Sequence, residues 1–92
     1  MKKLYFITLP PEFDRKAIVA YLEKIPQCIF WFYSLPNSFF MYSTFSANDL
    51  YERIVAGFGK KDGLFVMEMV AQNCQGLLPQ SHWDIIHHPE RY

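Results

Sequence analysis

The sequence predicts an α+β domain of ferredoxin-like βαββαβ type, with a four-stranded antiparallel sheet and two helices on one of its faces. Three observations carry that expectation. Four β-prone apolar runs start at Leu4, Cys28, Phe39 and Leu64; helical periodicity fills the first and third gaps between them; and a short turn fills the second. Sequential β-α-β units of this kind bury both helices most simply on one side of a single sheet. The 92 residues are enough for one core, so residues 1–92 read as one domain, with a core at 3–70 and a tail at 71–92.

Leu4 to Leu9 is a compact apolar run that Pro10 and Pro11 terminate. Asp14 stands where an N-cap belongs, and Ile18, Tyr21, Leu22 and Ile25 recur at i, i+3, i+4 and i+7, the stripe of one helix face. Pro26 ends that helix. Cys28 to Tyr33 and Phe39 to Ser43 are aromatic strands joined by Ser34-Leu35-Pro36-Asn37-Ser38, residues that favour a turn. Ser46 with Asp49 makes a cap for a second helix over about 47–58, in which Leu50, Ile54 and Phe58 repeat every fourth position. Lys60-Lys61-Asp62-Gly63 turns the chain into a last long strand at Leu64–Val70. Beyond it, a polar loop leads to an apolar tail, Leu77-Leu78-Pro79 with Trp83, Ile85 and Ile86, that includes a short helix from Pro79 to His87.

Nine Lys plus Arg balance nine Asp plus Glu, so no overall field draws in nucleic acid or an anionic membrane. No Lys or Arg lies between Lys24 and Arg53, which leaves the aromatic hairpin without basic neighbours in sequence. Stacking on RNA is therefore not favoured, and nucleic acid is not the expected partner. Cys28 and Cys74 form no CxxC pair, the N-terminus has no secretory pattern, and no run approaches the ~20 apolar residues of a membrane span. Reduced thiols and a cytoplasmic location follow as expectations.

His82, His87 and His88 are the candidate metal ligands, close to Asp84 and Glu90. Their spacing argues against a shared site, because His82 and His87 do not fall on one helical face and His87 and His88 diverge. No nucleophile sits beside a base in a local motif, and Gly57-x-Gly59 follows a helix and lacks the third glycine of a phosphate loop. No cofactor is expected. The aromatic fraction of 18% exceeds what one core consumes and points to contact surfaces; Phe30, Phe32, Phe40, Leu77, Leu78 and Trp83 are the candidate interface residues.

The run Asn37 to Leu50 (Asn-Ser-Phe-Phe-Met-Tyr-Ser-Thr-Phe-Ser-Ala-Asn-Asp-Leu), Asp62-Gly63-Leu64-Phe65-Val66, and Gly76-Leu77-Leu78-Pro79 with Trp83 resemble the corresponding passages of SinR-like proteins. These are stand-alone relatives of the small non-integrase subunit of the CRISPR spacer-acquisition complex. The resemblance implies a ferredoxin-like homodimer in which sheets stack and a C-terminal strand from Leu77 and Leu78 crosses to the other subunit, with Trp83 at the junction; a tail folded back over its own sheet, hiding the same surface, is the alternative. It also implies, for family members that are metal-dependent endonucleases, an aspartate at the end of the first strand. That position is Pro10 here, which has no side-chain oxygen, and Asp14 is the nearest acid and a weak catalytic candidate. The expected function is a non-catalytic homodimeric interaction or regulatory module. A nuclease or nucleic-acid-binding protein of the same fold is the alternative.

Overall fold

The computed structural model describes residues 1–92. Strands β1 (Lys3–Thr8), β2 (Cys28–Phe32), β3 (Ser38–Ser43) and β4 (Phe65–Glu68) form one sheet in the order β2-β3-β1-β4, every neighbour antiparallel. Helices α1 (Arg15–Glu23) and α2 (Ala47–Phe58) lie between the strands in sequence, and α3 (Gln80–His87) follows them. The result is an α+β domain with a four-stranded antiparallel sheet and three helices, compatible with a ferredoxin-like fold.

Local chemistry accounts for the helix starts. The Asp14 carboxylate accepts from the Lys16 backbone N–H at 3.1 Å, and the Ser46 hydroxyl accepts from the Asp49 N–H at 3.1 Å. Each satisfies a donor that the first helical turn leaves without an intrahelical partner. α1 buries Ile18, Val19 and Leu22, and α2 buries Leu50 and Ile54. Between the helices, Tyr21 meets the edge of Phe58 with ring centroids 5.5 Å apart. Gly63 has φ +100°, and a Cβ there would stand 3.4 Å from Pro10, so the turn into β4 needs a residue without a side chain.

Alternation along the strands builds two cores, not one. Tyr5, Ile7, Phe39 and Met41 face α1 and α2. Leu4, Phe32, Phe40 and Tyr42 face the other way and pack against Ile85 and Ile86 of α3. Strand β3, with a layer on each side, is buried at every position from Ser38 to Ser43.

The tail therefore departs from expectation in two respects. It was expected to cross to a second subunit, whereas in this chain α3 lies back over the chain's own sheet. Leu77-Leu78 is also not a strand, and β4 stops at Glu68 instead of reaching Val70. The physical reason is placement. Residues 74–78 run across the sheet face beside Phe6 and Phe40, where no strand edge offers them backbone partners. The helix expected at 79–87 is present as α3.

Candidate interaction groove

Three polar anchors hold the tail. The Tyr42 phenol donates to the Ile85 carbonyl at 2.8 Å, and Lys2 Nζ donates to the Pro89 carbonyl at 2.8 Å. Ser34 Oγ meets His82 Nδ1. Aromatic contacts fill in between them: Phe32 stacks on Phe40 at 4.7 Å, His82 lies 5.2 Å from Phe32, and Tyr92 lies 5.0 Å from Phe30. Burial raises the Tyr42 pKa to about 12, with the acidic neighbour Glu90 adding to the shift, so its phenol stays protonated and able to donate.

These anchors place α3 over β2, β3 and the Leu4 end of β1, and the cover stops short of the rest of β1 and of β4. There the sheet face and the 74–78 segment enclose an open groove of about 210 Å³. Ten of its twelve lining residues are hydrophobic, among them Phe6, Met67, Met69, Leu77, Leu78 and Trp83. Apolar side chains here are unusually bare: Met67 and Leu77, which line the groove, are 44% and 101% exposed, and Phe65, on the same face of β4 as Met67, is 59% exposed. Such a surface is costly in water unless something covers it.

The residues singled out in sequence divide by this geometry. Leu77, Leu78 and Trp83 border the groove together. Phe32 and Phe40 are buried under the chain's own α3, and Phe30 is half-buried beside Tyr92, so none of the three is free for a partner while the tail is docked. Phe65, Met67 and Leu35 were not singled out. Phe65 and Met67 lie in the near-continuous apolar run Leu64–Val70, where no polar alternation marks one face as the one left bare.

The three histidines are not brought together. His82 turns to Ser34, His87 stacks on Trp83 at 5.7 Å, and His88 lies 3.4 Å from Glu90, while no three His, Cys, Asp or Glu side chains gather in a metal-holding group. Asp14 is committed to capping α1. Burial raises the Cys28 pKa, which keeps it a thiol and a poor nucleophile. Lys60 and Lys61 border a polar hollow with Asp62 and Tyr51, a mixed-sign surface and not a basic patch. No helix is long and apolar enough to cross a membrane.

Fold and surface together define a small α+β domain with an apolar groove on the less covered half of one sheet face. Comparison with known proteins returns no matching family model, no matching curated protein and no matching solved structure.

Proposed function

We propose that this chain is a ferredoxin-like, non-catalytic interaction module that self-associates, using the uncovered β1/β4 half of the sheet as its contact surface. The strand order β2-β3-β1-β4 with helices after β1 and β3 supports the ferredoxin-like assignment. The observation that carries the functional reading is the groove together with the bare Met67 and Leu77 that line it and Phe65 on the same face of β4, in a domain whose remaining large apolar side chains are mostly packed. Pro10 at the end of the first apolar run and the capping role of Asp14 leave the endonuclease chemistry of SinR-like relatives without its carboxylate. Kinship with that family is part of the proposal and rests on the sequence resemblance.

Two measurements test it. Sedimentation equilibrium at about 100 µM is expected to show a dimer, since an interface of micromolar strength is saturated there; a monomer overturns the reading. RNA and DNA incubated with Mg²⁺ or Mn²⁺ are expected to remain intact. Cleavage that disappears in an Asp14→Ala variant restores the enzyme.

A further inference from the structure

We infer that two copies join along their β4 edges, antiparallel about a two-fold axis at Val66, to make one continuous eight-stranded sheet. This rests on the self-association proposed above and places the contact at the β4 edge of that uncovered half, where Phe65 and Met67 stand exposed, with the groove itself left open.

The argument begins with the backbone. β4 pairs only with β1, in a register that sets Phe6 opposite Met67 and Ile7 opposite Val66. The Met69 N–H donates to the Leu4 carbonyl at 2.8 Å. Antiparallel ladders alternate bonded and non-bonded pairs, so Met69, Met67 and Phe65 direct their N–H and C=O toward β1. Val66 and Glu68 direct theirs off the open edge of the sheet. A strand edge with unpaired groups is a template for another strand.

Symmetry narrows the partner's register. A two-fold axis normal to the sheet must set one residue of an antiparallel pair opposite its own copy, and the bonding groups on this edge belong to Val66 and Glu68. An axis at Glu68 juxtaposes two carboxylates. An axis at Val66 exchanges two hydrogen bonds between the Val66 pair and sets Phe65 of each copy opposite Met67 of the other. That covers the two exposed apolar side chains of β4 with an aromatic–thioether contact, twice. Charge agrees, because Glu68 then faces Leu64 of the second copy, next to the net-positive turn Lys60-Lys61-Asp62-Gly63. An axis one residue on, at Met67, sets Glu68 against Val66 and moves that turn away from it. The uncovered groove lies on the face that carries Phe65 and Met67, so in this dimer the two grooves flank the axis.

The register is read by mixed cysteine cross-linking in a Cys74→Ser background, with Cys28 buried in the core. Phe65→Cys protein mixed with Met67→Cys protein is expected to yield a disulfide-linked dimer under mild oxidation, because directly opposed non-bonded residues have Cα atoms about 4.5 Å apart, within disulfide reach. Neither variant alone is expected to cross-link to more than about a tenth of that extent, since its cysteines sit one diagonal step apart, at roughly 7–8 Å. Retention of the parent melting temperature in each variant establishes that it folds. A sedimenting dimer without the mixed cross-link, or with equal cross-linking of either variant alone, overturns the Val66 register and leaves self-association standing. A monomer overturns both.

Discussion

The Tyr42 phenol lies 2.8 Å from the Ile85 carbonyl, and this contact joins the middle of the buried strand β3 to the helix that covers it. Tyr42 is only 2% exposed, so neither group can turn to water if the other is lost. A buried acceptor left without its donor costs more than an ordinary hydrogen bond is worth. Tyr42→Phe is accordingly expected to destabilise the domain by about 1–2 kcal/mol. That corresponds to a melting temperature lower by very roughly 4–16 °C for a chain of this size. Differential scanning calorimetry of the two proteins checks it, and an unchanged transition contradicts the anchoring role.

The same phenol gives the domain an alkaline limit. Its pKa is raised to about 12 in the fold, against about 10 in an unfolded chain. A raised value stabilises the folded state fully below the unfolded pKa, and that contribution disappears as pH rises through the folded one. Urea midpoints measured from about pH 9 to about pH 12 are therefore expected to fall in the parent protein and to fall less in Tyr42→Phe. Some slope remains in the variant because burial also raises Tyr5 and Cys28. Identical slopes count against Tyr42 as a source.

Trp83 stacks on His87 and borders the groove, so it joins the tail helix to the second core. It is only partly buried, and Trp83→Ala is expected to cost about 2 kcal/mol, below the usual figure for a fully buried aromatic. Partial release of α3 uncovers Phe32 and Phe40. Binding of a fluorescent apolar dye under native conditions is expected to rise, and a silent dye signal speaks against the tail as a cover.

Asp14→Ala removes one helix cap, with an expected loss of about 1 kcal/mol. Ser46→Ala is expected to cost a similar amount at α2. Self-association in both is expected to match the parent. A dimer lost on Asp14→Ala alone assigns that carboxylate a role beyond capping.

The end of the chain is tied down more than its polarity suggests. The polar residues 87–92 are not a loose end, because the Pro89 carbonyl accepts from Lys2 and Tyr92 packs on Phe30. Both contacts join residues far apart in sequence, and no periodicity foretells them. By contrast, the strands, the two capped helices and α3 were legible, because Asp14, Ser46, Pro10 and Pro26 act through neighbours in the chain. The capping helices could be assigned from spacing, but the site could not. Whether Leu77 is bare and Phe32 hidden depends on which way an eleven-residue connection, 69–79, directs α3, and that is settled by competition among surfaces of similar composition.

Strand β3 carries one further consequence. One side is sealed by two helices wired into the sheet through short connections, the other by a single helix on a mostly exposed leash. Those two lids need not open together. Excursions that lift the leash expose Phe32, Phe40 and Tyr42 while the ladder stays intact, so amide exchange in α3 is expected to outrun that in β3 by the difference between a local and a global opening energy. The molecule would then spend a small fraction of its time as a wider, stickier platform, and any factor that prefers that form shifts it toward the open state by its own differential affinity.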